Sequence, residues 1–278
     1  MLVDLHLHTN ASDGTWDRDE LIEILLENNI GLFSITDHDA IMNSKRMLNE
    51  LEGYNLRYLV GVEISCTYLK TEYHITAYSF DPSNDLLINL LKANQEERSR
   101  GENSSVKDLA TINPQVEYHR FKNYQYQRKR GGWKSLNFLL DDGVVSSLSE
   151  YFALFLDPSE YFSLFGDPNK IFTFQDPAAI IRIVREAQGV PFLAHPNVYF
   201  NDSRMPQKEL EKWIDFGISG IECYSSYCGI QDAKEYVKFC NKNDLLISGG
   251  SDCHGTFLDK KIGDPRITLD MLNLGSLI

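Results

Sequence analysis

Residues 3–14 read VDLHLHTNASDG. Side chains of a β-strand alternate between its faces, so His6 and His8 share one face while Leu5 and Leu7 take the other. Two imidazoles thus converge at a strand end, with Asp13 in the loop that follows. Outward from this stretch, short β-rich runs alternate with helical patterns: 3–8 then 21–29, 31–36 then 40–51, 58–65, and 73–80 then 86–97. The rhythm stops near residue 98 and resumes at PAAIIRIVREAQG (177–189), followed by strand runs at 190–195, 218–224 and 245–255 with helical runs between them. Seven strands at this spacing predict an α/β protein built on a parallel sheet. Gly31 and Gly189, each between a helical run and a strand, read as helix-ending glycines.

The composition is that of a globular protein: 278 residues, 42% hydrophobic and 24% charged, which excludes disorder throughout. Lys and Arg number 27 against 40 Asp and Glu, and the net charge of −13 would repel bulk duplex nucleic acid and an anionic membrane surface. The N-terminus lacks the basic segment of a secretory signal, and no run approaches the roughly 18 apolar residues of a spanning helix, so a soluble cytoplasmic protein is expected. Five cysteines (Cys66, Cys223, Cys228, Cys240, Cys253) without CxxC spacing read as reduced, structural thiols. Residues 99–172, rich in Tyr, Phe, Asn and basic side chains, are too apolar for a linker and read as an inserted, mainly helical cap between segments 1–98 and 173–278.

Six of the seven histidines lie in or just after predicted strands. Strand two runs into Asp37-His38-Asp39, strand three into Glu63, strand four opens at Tyr73-His74, strand five ends at His195-Pro196, and the last strand ends at Asp252-Cys253-His254. Carboxyl ends of parallel strands face one rim, where loops meet and active sites are built. His6, His8, Asp13, His38, Glu63, His74, His195, Asp252 and His254 could gather there, and a set mixing imidazoles with carboxylates and no thiolate points to a site for Mn, Fe or Zn. Asp37 or Asp39 could orient the imidazole between them, Cys253 should point away from its neighbours, and Asn197, after strand five, could line the pocket.

The ordered set HxH, S-D-G, T-D-H-D, G-V-E, a strand-four His, A-H-P and S-D-C-H-G resembles the polymerase and histidinol phosphatase (PHP) superfamily over residues 1–90 and 175–265. It most resembles the phosphoesterases of that family that act on nucleotide phosphates and carry an interrupting helical cap. The resemblance implies a distorted (β/α)7 TIM-like barrel formed by 1–98 and 173–278, with two or three divalent metal ions. His6, His8, Glu63 and Asp252 would hold the first, Asp13, His38 and His254 the second, and Glu63, His74 and His195 the third, the same nine side chains being the catalytic set. Three such ions against three carboxylates would attract a phosphate despite the acidic chain. The implied reaction is attack by a metal-bridging hydroxide on a phosphate ester of a small nucleotide, for example a nucleoside 3′,5′-bisphosphate.

Within the cap, Arg120, Lys122, Arg128, Lys129, Arg130 and Lys134 are interleaved with Phe121, Tyr124, Tyr126 and Trp133, with no acidic residue among them. This island reads either as a solvated face or as a surface that grips phosphate and stacks a base, with Arg130, Lys134, Lys129 and Trp133 as candidates. The family's G-R-P-H-like cap segment is not matched in register, since this chain reads Arg130-Gly131-Gly132-Trp133-Lys134-Ser135. Trimming of short RNA from its 5′ end, histidinol-phosphate hydrolysis, an amidohydrolase reaction and a non-catalytic PHP module are the alternatives; the oligomeric state is not legible.

Overall fold

The computed structural model describes residues 1–156 and 172–278. The first strand, β1 (Leu2–Leu7), is central in a four-stranded sheet that also contains β2 (Ile30–Ile35), β3 (Arg57–Tyr58) and β9 (Ile267–Thr268), in the order β3-β2-β1-β9. A second sheet runs β4-β5-β6-β7-β8, from β4 (Gly61–Tyr68), β5 (Thr71–Tyr78) and β6 (Val190–Leu193) to β7 (Gly220–Ser225) and β8 (Leu246–Gly250). Helices α1 (Arg18–Glu27), α2 (Met42–Met47), α7 (Pro177–Glu186), α8 (Gln207–Phe216) and α9 (Ile230–Lys242) accompany the strands. The long α3 (Asp85–Ile112) leads into α4 (Tyr118–Asn123), α5 (Lys134–Asp141) and α6 (Leu148–Leu156). None of the described helices is long and apolar enough to cross a membrane.

Among the described residues the expected closed barrel is not found; they form a mixed α/β arrangement of two sheets. They are stitched by isolated parallel bridges, Leu7 with Cys253 and His38 with Glu63. Backbone bonds from His8 N to Cys253 O (3.0 Å), Asp252 N to His6 O (2.9 Å) and Asp39 N to Glu63 O (2.8 Å) reinforce both seams. Every one of these contacts lies at the rim where the histidines gather. The parallel rhythm fails at β4 and β5 because they form an antiparallel hairpin, Tyr68 pairing with Thr71. Its two-residue turn, Leu69-Lys70, holds both residues at positive φ (48° and 68°) and leaves no room for a crossover helix. The pairing of β5 with β6 is antiparallel as well.

Local punctuation follows side-chain chemistry. Asp17 caps α1 in a reciprocal box with Glu20. The left-handed positions after α1 and α7 fall on Asn29 (φ 57°) and Gln188 (φ 63°), just before the glycines expected there, and Gly31 instead lies within β2. The apolar partners of the HxH run go where alternation sends them: Leu7 packs with Phe33, Ile35 and Cys253, and Leu5 with Tyr78 and Phe192. A separate cluster of Val106, Leu109, Phe121, Leu136, Phe138 and Tyr151 holds the helices from the end of α3 to α6 together. Helix α3 itself runs through residue 98 without a break.

Candidate metal centre

Glu63, fully buried near the start of β4, is the hub of the site. Its Oε2 stands 3.2 Å from His6 Nε2, 3.2 Å from His8 Nε2 and 3.1 Å from His38 Nδ1. Its Oε1 stands 3.0 Å from His74 Nδ1 and 2.8 Å from His195 Nε2. Asp252 Oδ1 faces the same two β1 imidazoles, 3.3 Å from His6 Nε2 and 3.0 Å from His8 Nε2. Asp13 adds Oδ1 3.4 Å from His254 Nε2 and 3.5 Å from His8 Nδ1, with Oδ2 3.9 Å from His38 Nε2. All nine acid and imidazole side chains singled out in the sequence therefore meet in one cluster.

Donor atoms gather into overlapping groups suited to cations: His6, His8, Glu63 and Asp252; His8, Asp13, His38 and His254; His38, Glu63 and His74. His195 joins the last, its Nε2 lying 3.4 Å from His74 Nδ1. Buried atoms of the cluster without a hydrogen-bond partner include His6 Nε2, His8 Nε2, Asp13 Oδ1, His38 Nδ1, Glu63 Oε2 and Asp252 Oδ1. Leaving so many buried polar atoms unpaired would be costly. The separations explain them, since two donors each about 2.1 Å from a tetrahedral ion stand roughly 3.4 Å apart. The donor set fits divalent ions. A neutral imidazole has one ring lone pair, so His8 could serve one ion only, and its Nε2 faces the group of His6, Glu63 and Asp252.

Burial would neutralise these groups, and their mutual contacts decide the outcome. Asp13, Glu63 and Asp252 are desolvated, yet the surrounding histidines hold all three well below the usual carboxylate range. His8 is desolvated too, but the close carboxylates of Asp252 and Glu63 raise it to about 10, and Glu63 and Glu72 raise His74 to about 10. Burial wins at His38, which falls to about 3. The fold also stores backbone strain here, with φ of 26° at His195 and 55° at Asp252. A hydrogen bond pins each: His195 N donates to Glu222 Oε2 at 2.7 Å, and Asp252 N to His6 O. Two glycines permit the close packing around β1: a Cβ on Gly14 would lie 2.6 Å from His8 O, and one on Gly250 would lie 2.4 Å from His6 Cβ.

Several supporting residues escaped the sequence reading. Glu222, buried in β7, accepts His6 Nδ1–H at 3.0 Å, which fixes the tautomer and turns Nε2 into the cluster. Its signal was a lone acid in the apolar run GIECY. Asp4, pushed up to about 6 by burial despite its hydrogen bonds, accepts the backbone N–H groups of Ser251 and Gly263 and so ties the loop of Asp252 to β1. Tyr227 donates to Asp252 Oδ2 at 2.9 Å, leaving Oδ1 for the cluster. Neither acid beside His38 reaches its ring. Asp37 accepts from Thr9 N, Thr9 Oγ1 and Ser12 Oγ, fastening the loop after β1, and Asp39 accepts from Ser65 and from Asn94. Cys253 turns away into the Leu7 cluster, as alternation predicts, and all five cysteines are free thiols.

The substrate candidates of the cap are placed differently. Lys129 pairs with Asp17 (2.7 Å) and Glu20 (3.0 Å), and Arg130 with Asp141 (2.9 Å). Lys134 Nζ lies 4.7 Å from the Phe121 ring centroid, and Trp133 Nε1–H donates to Tyr151 Oη at 2.7 Å. Asn197 is buried between Asp232 (3.0 Å) and Tyr236 (2.7 Å). The segment nevertheless docks beside the centre: Arg128 Nη1 donates to Ala11 O at 2.6 Å and Gly132 N to Asp13 O at 2.7 Å.

A nine-residue His and carboxylate cluster at the rim of a mixed α/β fold defines a metal-dependent hydrolase. The chain belongs to the PHP domain family, which its residues 4–182 match. It is 24% identical over 255 residues to the 3′,5′-nucleoside bisphosphate phosphatase of Chromobacterium violaceum, covering 91% of this chain and 87% of that protein. It is also 24% identical over 259 residues to the 5′-3′ exoribonuclease Rnm of Escherichia coli, covering 91% and 85%. A solved structure of a proposed metal-dependent phosphoesterase from Bifidobacterium adolescentis superposes with a TM-score of 0.80 at 24% identity, covering 97% of this chain and 93% of that one. Family and site together make the protein a metal-dependent phosphoesterase.

Proposed function

We propose that the protein removes a phosphate from a small nucleotide, of the kind exemplified by a nucleoside 3′,5′-bisphosphate, at a centre of two or three divalent cations held by the nine clustered side chains. The observation that carries this reading is the convergence of five histidines on the two oxygens of Glu63, with unpaired buried donor atoms around them. Mn, Fe or Zn held there would supply Lewis acidity toward the phosphoryl oxygens and a nucleophile at neutral pH. The chain's own residues do the rest. Glu63 would hold cations through both of its oxygens, and Glu222 and Glu72 keep one nitrogen of His6 and of His74 aimed inward. Asp13, His38 and His74 retain partial exposure whereas His6, His8 and Glu63 have none, so the substrate enters on that side.

The docked segment from Arg128 to Lys134 borders this entrance through Ala11 and Asp13. Lys129 and Arg130 are tied in exposed ion pairs, Arg130 with a further hydrogen bond to Tyr124 Oη, and such pairs hold weakly in water, so a doubly charged phosphate competes for them. Lys134, Trp133 and Asn197 complete the proposed substrate-side set. Similarity of equal strength to an exoribonuclease supports a second reading, the same hydrolysis at the 5′ end of short RNA.

The test is phosphate release from adenosine 3′,5′-bisphosphate by protein stripped of metal and reloaded with Mn, with an end-labelled short RNA run in parallel. Metal-dependent release from the bisphosphate is the expected result. Shortening of the RNA without release from the bisphosphate would favour the second reading, and inertness toward both with metal bound would refute a nucleotide substrate.

A further inference from the structure

Arg98 sits midway along α3, and several contacts engage its guanidinium. Nη2 donates to Glu72 Oε1 at 2.5 Å and to Ser65 Oγ at 2.7 Å. The guanidinium carbon lies 5.0 Å from the ring centroids of both Phe172 and Phe174. Its neighbours on the same helix grip the same strand ends: Asn94 Nδ2 donates to Asp39 Oδ1 (2.7 Å) and Ser65 O (2.8 Å), and Gln95 Nε2 to Asp39 O (2.7 Å). Helix α3 and the segment at 172–174 are the two connections between the cap helices and the sheets, and Arg98 touches both.

The far end of this contact is a member of the metal centre. Glu72 Oε1, the oxygen held by Arg98, also accepts His74 Nε2–H at 3.1 Å. That bond leaves the lone pair on His74 Nδ1, 3.0 Å from Glu63 Oε1 and 3.4 Å from His195 Nε2. Glu72 thus stands between a cation on α3, the helix that leads into the cap, and an imidazole of the centre, and its carboxylate cannot shift without moving one of them. A lysine at position 98 would keep the charge, but its single ammonium could not reproduce the planar guanidinium that lies beside both phenylalanine rings.

We propose that Arg98 and Glu72 form a strut through which the cap sets the His74 imidazole, so that the cation position of Glu63, His74 and His195 is the one coupled to the cap. The inference rests on the reading that the cluster holds divalent cations. It makes Arg98 and Glu72 positioning residues and ties one metal equivalent to the seating of the cap.

The test is titration of the metal-free protein with zinc against a chromophoric chelator, comparing wild type with Arg98→Ala, Arg98→Lys and Glu72→Gln. In Arg98→Ala and Glu72→Gln one equivalent should weaken by about 10- to 100-fold, as loss of an outer partner of a ligating histidine does, while the others hold. Arg98→Lys should fall between. Glu72→Gln leaves the Ser65, Phe172 and Phe174 contacts of Arg98 in place and covers the case in which Arg98→Ala misfolds. Unchanged affinity for every equivalent in the folded variants would overturn the strut, as would uniform weakening of all equivalents. Absence of any zinc binding by the wild type would instead overturn the metal reading beneath it.

Discussion

The strand-end cluster and the basic segment of the cap use charge in opposite ways. At the rim, buried imidazoles and carboxylates approach within 2.8–3.5 Å and leave donor atoms without hydrogen bonds. In the cap, three of the six cations are already matched by acids: Arg120 with Asp142, Lys129 with Asp17 and Glu20, Arg130 with Asp141. A local charge count sees a cationic island at 120–134, but its partners come from α1 and the end of α5, outside the counted window. Unsatisfied burial therefore marks function more sharply than accumulated charge does.

The largest effect should come from the hub. Glu63→Ala and His8→Ala should each cut phosphate release by about 10³-fold or more, the several kcal/mol that such a centre contributes, while circular dichroism still reports a folded chain. Near-normal rates in both would break the contrast at its stronger end. Next comes Glu222→Ala, which frees the outer nitrogen of His6 and should weaken metal binding by about 10- to 100-fold in a dialysis assay.

A third test uses pH in the metal-free protein. Burial lowers His8 and His74, but their carboxylate partners outweigh it and hold both at about 10 against an ordinary value of 6.5. Protonated folded-state histidines of this kind contribute stability that is fully present below pH 6.5 and is lost as pH rises through 10. The urea midpoint should decline across that window, and Glu63→Gln should flatten the decline; a constant midpoint in the parent would contradict it. The smallest effect belongs to the cap: Arg130→Ala or Lys134→Ala should raise KM by less than about tenfold with kcat unchanged. A loss as deep as that of Glu63→Ala would erase the distinction between the two regions.

The cluster was legible because its information is local: alternation puts His6 and His8 on one face, and strand-end positions place the other acids and imidazoles at one rim. Sheet direction was not. The run from Gly61 to Tyr78 has the same apolar periodicity in either orientation, and Leu69-Lys70 carries none of the Asn-Gly chemistry that advertises a tight hairpin turn. The split into two sheets was equally hidden, because the local pattern of a strand is the same whether its neighbours form one continuous wall or two sheets joined at a few rim contacts. Glu222 and Asp4 were passed over because a single acid in an apolar run looks like an edge residue until its buried partners come from elsewhere in the chain.

The seams between the two sheets have a consequence for assembly. Leu7 meets Cys253 and His38 meets Glu63 where the candidate cation ligands lie, so an ion seated there would tie one sheet to the other. The ligands on β1 and the loop after β2 belong to one half of the molecule, and those on β4, β5 and the loops after β6 and β8 to the other. Cations held there would add a second tie across a seam that backbone hydrogen bonds already make, so their binding would stabilise the joint between the sheets as well as arm the site.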